Sequence, residues 1–169
     1  MIGFALNRWT LLMLAVMFVL AHAGAAGQDA SRDSAAPDQA PYCGELRQVV
    51  AVAATKERFS PIVGSPREGE FTDARVPLPG WKDCAIYGSR MYTCDSEQVG
   101  TSAAVEIMLA KTVGQVRACL GERWSEVRER SSATYVVLHG AGALSLTLST
   151  DRIDREAFIV RLTLFSRAP

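Results

Sequence analysis

Four cysteines, Cys43, Cys84, Cys94 and Cys119, constrain this 169-residue chain more than any other feature of it. Whether they stay as thiols or form bridges depends on the compartment, and the N-terminus bears on that. One charge, Arg8, precedes an apolar run from Trp9 to Leu20, and Ala21-His22-Ala23 then fits the small-x-small pattern of a leader cleavage site. Ala26 offers a second cut. The run is short of the ~20 apolar residues that a membrane-spanning helix needs. The expectation is a leader over 1–23, export, and an oxidising environment in which an even number of cysteines pairs.

Three connectivities are open to four cysteines, and spacing chooses among them. Cys84 and Cys94 flank a stretch that reads strand, turn, strand. If Gly88-Ser89-Arg90 is a three-residue turn, Tyr87 faces Met91, Ile86 faces Tyr92 and Cys84 faces Cys94. Opposed residues of an antiparallel pair lie ~4.5–5.5 Å apart, within reach of a disulfide. Cys43 is left to pair with Cys119. No Cys-x₂₋₄-Cys pair is present, which argues against a zinc site and a thioredoxin-like site alike.

Residues 24–41 contain no Val, Ile, Leu or aromatic side chain and read as a flexible linker. The folded unit is expected over 42–169, as one α+β domain. Its first helix spans 44–59, with Leu46, Val49, Val50 and Ala53 on one face. The stretch 61–83 reads mainly as loop, although Phe71 to Leu78 can be extended; Pro77 and Pro79 would make that an edge strand. After the cysteine hairpin comes a helix over 101–120, with Val105, Leu109, Val113, Val116 and Leu120 inward and Gly121 as its stop. Trp124 to Arg130 reads as a charged connector. Three strands follow, Thr134–Leu138, Ala143–Ser149 and Ala157–Phe165, and the last two alternate apolar with polar residues. The resulting fold class is an antiparallel sheet with two helices on one face and two disulfides.

A faint repeat at an offset of 60 suggests a tandem α-β-β-β arrangement. Val76-x-Leu78-x-Gly80 matches Val136-x-Leu138-x-Gly140, Cys84-Ala85-Ile86 matches Leu144-Ser145-Leu146, and Val49 matches Leu109. Two such units about a twofold axis would set the start of the first helix beside the end of the second, where Cys43 and Cys119 stand. The run Cys43…Leu78-Pro79-Gly80…Cys84…Tyr92-x-Cys94…Cys119-Leu120-Gly121-x-x-Trp124 resembles small exported proteins of Gram-negative bacteria. That resemblance covers most of 43–124 and implies no activity. In outline alone, the tandem is similar to the beta-lactamase inhibitor protein architecture.

Composition narrows the function further. With 18 basic against 18 acidic residues there is no basic field for nucleic acid. Loss of Arg8 with the leader leaves 17 against 18, a net charge of −1. His139 is the one histidine beyond the leader and reads as a turn residue. No serine-hydrolase, zincin, Walker or dinucleotide pattern occurs, and no cofactor or metal is expected. The carboxylate pairs Glu68 with Glu70 and Asp151 with Asp154 fall in solvated loops, where nothing would raise a carboxyl's pKa for glycoside cleavage.

Binding material is better. Trp81 and Lys82 end the long stretch 61–83, with Arg75 nearby, and Trp124 follows the second helix; Trp and Arg are common interface anchors. These four residues are the expected contacts with a protein partner. The expected function is a non-enzymatic periplasmic or secreted protein of inhibitor or immunity type, with no membrane contact once the leader is gone. The alternatives are a small hydrolase working from carboxylates and an envelope scaffold or ligand carrier.

Overall fold

The computed structural model describes residues 39–167; the expected leader over 1–23 and nearly all of the linker over 24–41 lie outside the described residues. Helix α1 (Ala40–Ala53) begins two residues before the expected domain start, with Pro41 in its first turn, where a missing N–H costs nothing. It buries Tyr42, Cys43, Leu46, Val49 and Ala53 on one stripe. The helix stops six residues earlier than the apolar spacing predicts. Thr55 donates its hydroxyl to the Val52 carbonyl at 2.9 Å, Arg58 takes a positive φ of 53°, and Phe59 turns back into the core to meet the Tyr92 ring at 6.0 Å.

Four strands follow, β1 (Val63–Pro66), β2 (Phe71–Ala74), β3 (Asp83–Tyr87) and β4 (Met91–Asp95). Next come helix α2 (Ser102–Leu120) and strands β5 (Ser125–Glu126), β6 (Tyr135–His139), β7 (Leu144–Arg152) and β8 (Phe158–Ser166). All eight form one antiparallel sheet in the order β1-β2-β3-β4-β8-β7-β6-β5. The expected α-β-β-β units are therefore α-β-β-β-β. The missed strands, β1 and β5, are the outer edges. With β1 beside it, β2 is not an edge strand, and it ends at Ala74, ahead of both prolines.

Helix α2 is bounded as its flanks require. Thr101 is extended and accepts a 3.1 Å hydrogen bond from the Ala104 N–H on its hydroxyl. Gly121, at φ 70°, closes the other end by donating its N–H to the Arg117 carbonyl at 2.8 Å. Val105, Leu109 and Val116 are buried as expected. Val113 and Leu120 are half-buried, and Thr112 is inside because its hydroxyl donates to Met108 O at 2.8 Å.

Both helices lie on one face of the sheet. The strands turn Ile86, Tyr92, Leu138, Leu146, Leu148, Val160, Leu162 and Leu164 toward them, each 0–1% exposed. Full burial of such a side chain contributes ~1.5–3 kcal/mol, so this layer is the main stabilising element. Ser166 at the end of β8 donates its hydroxyl to the Ala53 carbonyl at 2.7 Å and so ties the sheet to the end of α1.

The hairpin is paired as its turn length predicts, with Tyr87 opposite Met91, Ile86 opposite Tyr92 and Cys84 opposite Cys94. Cys84 is bonded to Cys94, and Cys43 to Cys119. The second bridge joins the start of α1 to the end of α2, as a twofold relation between the helices requires, and Arg47 donates from Nε to the Cys119 carbonyl beside it at 2.7 Å. The symmetric strand order places the same relation at the sheet centre, where Thr93 on β4 pairs with Thr163 on β8 and their hydroxyls stand 3.4 Å apart. Of the matched segments, Cys84–Ile86 and Leu144–Leu146 fall on the third strand of each unit, and Val49 and Leu109 are buried on their helices. Val76 to Gly80 does not correspond to β6: it is the loop after β2.

Candidate functional site

The helices cover one face of the sheet, and the other carries the site. Because strand side chains alternate, the inward set just described fixes the outward set, and cross-strand register arranges it in rows. The first row runs Phe71, Tyr87, Met91, Phe165, Ser145, His139 across β2, β3, β4, β8, β7 and β6. The second runs Asp73, Ala85, Thr93, Thr163, Thr147, Val137. The third runs Asp83, Asp95, Arg161, Ser149, Tyr135, with Asp151 one step beyond on β7. Apolar, hydroxyl and ionic groups thus lie in successive bands along the strands.

The bands differ in depth. Thr147 and Thr163 are buried, forming a floor, whereas Phe71, Tyr87, Tyr135 and Phe165 are 37–39% exposed and form a rim. The Phe71 and Tyr87 rings meet at 5.1 Å with a 50° tilt. Together the bands line an open hollow of about 670 Å³.

Two arginines organise the ionic band. Arg161 grips Asp95 with both ends of its fork, Nε to Oδ1 at 2.6 Å and Nη2 to Oδ2 at 2.8 Å, and reaches Asp151 from Nη1 at 2.8 Å. Arg67, from the end of β1, contacts Asp73 at 2.5 Å and Asp83 at 2.6 Å. Each guanidinium is held above its ordinary pKa, Arg161 chiefly by the hydrogen bond to Asp95 and Arg67 chiefly by that to Asp73. Asp83 and Asp95 are nevertheless direct cross-strand neighbours, a like-charge placement that costs stability. On the first band, a hydrogen bond to Glu70 raises the Tyr87 phenol.

Of the residues picked from sequence as partner contacts, Trp81, Lys82 and Arg75 lie about the β2–β3 connection, and Trp124 stands apart from them beside β5. Trp81 is half-buried against the core at the entry to β3, in a turn where its N–H donates to the Leu78 carbonyl at 3.1 Å. Its side chain approaches the buried Tyr42 hydroxyl, but the two do not reach hydrogen-bond geometry, and burial drives that phenol well above its usual pKa. Lys82 is exposed and paired with Glu97 at 2.6 Å, and Arg75 is exposed just past β2. Trp124 sits beside the opposite edge strand, β5, half-buried against the core and under the backbone of Gly140. His139 ends β6, in register with Ser125 and Ser145, and among the described residues its side chain makes no hydrogen bond.

Sequence reasoning missed the rim. Its signal was available in the outward positions of the alternating strands, Phe165 and Tyr87 above all, but only register shows that they are neighbours. Asp151, expected with Asp154 in a solvated loop, lies instead on β7 and is paired with Arg161. Among the described residues no three His, Cys, Asp or Glu side chains gather as a metal site would, and no helix is long and apolar enough to cross a membrane. Comparison with protein-family models, curated proteins and solved structures returns no match to the chain.

Proposed function

We propose that this is a non-enzymatic binding protein of inhibitor or immunity type, periplasmic or secreted, which engages a protein partner through the open face of its sheet. One observation carries the reading: Phe71, Tyr87 and Phe165, with Met91 between them, form a continuous band at the rim of a face that, among the described residues, no helix covers. Exposed apolar groups gathered in a patch and edged by charge mark interaction surfaces. Two disulfides fit an oxidising compartment outside the cytoplasm.

The alternatives have less support. The hollow is open to solvent, whereas a small ligand is usually enclosed over most of its surface. For a hydrolase, the carboxylates of this face are Asp73, Asp83, Asp95 and Asp151, and each is already bound by an arginine, the first two by Arg67 and the last two by Arg161.

The test is capture from periplasmic extract with the exported protein and with its Phe165→Ser variant. Phe165 is on the rim, so the variant should keep the fold, checked by circular dichroism. The expected result is a protein retained by the first and lost by the second. Equal retention, or none on either, would refute the proposal.

A further inference from the structure

The open face is polarised along its strands. At one end, four carboxylates, Asp73, Asp83, Asp95 and Asp151, share two guanidinium groups, Arg67 and Arg161, leaving two negative charges unbalanced. The sharpest point is the Asp83–Asp95 neighbour pair, where a cation from outside would relieve the repulsion. At the other end, beyond the aromatic band, Arg90 and Arg167 line a second hollow of about 630 Å³ whose wall includes Met91 and Phe165. Met91 and Asp95 are four residues apart on β4, about 13 Å along the strand. Five extended residues of a partner, reaching ~17 Å, would cover both ends.

We infer that the partner lays an extended segment along β4 and β8, with a lysine or arginine over Asp83 and Asp95, an apolar side chain among the aromatic band and a carboxylate toward Arg90 and Arg167. This rests on the open face being the binding face. A polypeptide can alternate charge over that span. A nucleic-acid backbone or an anionic membrane carries one sign and would be repelled at the acidic end.

The probes are two synthetic peptides, acetyl-Arg-Ser-Leu-Trp-Asp-amide and its counterpart with Glu in place of Arg. Each is titrated into the isotopically labelled exported protein and followed by amide chemical shifts. The expected result is saturable shifts on β3, β4 and β8, with the arginine peptide binding at least tenfold more tightly and the gap closing at high salt. Asp83→Asn should narrow the preference and Asp83→Lys reverse it; Asp83 is 56% exposed, and circular dichroism of both variants guards against misfolding. Equal affinities, shifts confined to the helices, no shifts, or a stronger response to phosphatidylglycerol vesicles would overturn the inference. Peptides bound without preference, alongside Phe165-dependent capture, would remove only the segment assignment. Capture indifferent to Phe165 would remove the binding face as well.

Discussion

Gly140 is small because Trp124 needs the space. A Cβ placed there would stand 2.6 Å from the Cε2 and Cζ2 atoms of that indole and 2.9 Å from its Cη2. Carbon atoms rest at ~3.5–4.0 Å, so the ring would have to move by about 1 Å. It cannot do so freely, because the indole packs on the core and the backbone is fixed by the Trp124 main-chain N–H, which donates to the Gly121 carbonyl at 3.2 Å. Overpacking of this kind costs ~1–3 kcal/mol, and Gly140→Ala is expected to lose that much. Urea unfolding followed by circular dichroism measures it as a lower midpoint at unchanged slope. In a Trp124→Leu background the clash is gone, so the same change should cost less than ~0.5 kcal/mol. The coupling between the two sites is then ~0.5–3 kcal/mol, in the range for residues in contact. Wild-type stability in Gly140→Ala, or an equal loss in both backgrounds, would refute the reasoning.

Non-reducing peptide mapping should recover Cys43–Cys119 and Cys84–Cys94. Loop closure assigns about 4.5 kcal/mol to the bridge spanning 76 residues and about 2.8 to the one spanning 10, so removing Cys43 and Cys119 together should lower the urea midpoint more. Burial raises the phenols of Tyr42 and Tyr92 above their usual 10, so the folded state keeps two protons that the unfolded chain releases. Their contribution is complete below pH 10, and above it stability should fall by ~2.7 kcal/mol per pH unit, a slope that Tyr42→Phe should halve. At neutral pH that change should be neutral or stabilising, since the Tyr42 hydroxyl has no hydrogen-bond partner among the described residues; Tyr92→Phe should cost ~1 kcal/mol for its 2.8 Å bond to the Val76 carbonyl. Trp81→Ala should destabilise by ~2–3 kcal/mol, because the indole covers core beside Tyr42; an unchanged urea midpoint would contradict that placement.

The parts legible in the sequence are those in which short-range rules meet long-range consequences. A three-residue turn at Gly88-Ser89-Arg90 fixed the pairing of Tyr87 with Met91 and hence the Cys84–Cys94 bridge, and elimination then gave Cys43–Cys119. Leu144 to Leu148 and Val160 to Leu164 announced their inward faces by alternation. Ser125 and Glu126 did not, since two residues show no period, and Val63 to Pro66 was hidden among turn-forming residues. The binding face was illegible for a different reason. Phe71, Tyr87, Met91 and Phe165 span most of the folded chain, and only the combined registers of four strands make them adjacent. Trp81 drew attention as an aromatic in a loop, yet sequence cannot tell an aromatic that anchors a partner from one that roofs the core.

The bridge between the helices also determines what a protease can do to this protein. The exposed link at Glu97 and Gln98 is the crossing from the first α-β-β-β-β unit to the second. A cut there would yield two fragments, one holding Cys43 and the other Cys119, still covalently joined by their bridge and still hydrogen-bonded along β4 and β8. The nicked molecule would run as one band on a non-reducing gel and as two after reduction. Disassembly requires two independent insults, a severed backbone and an added reductant.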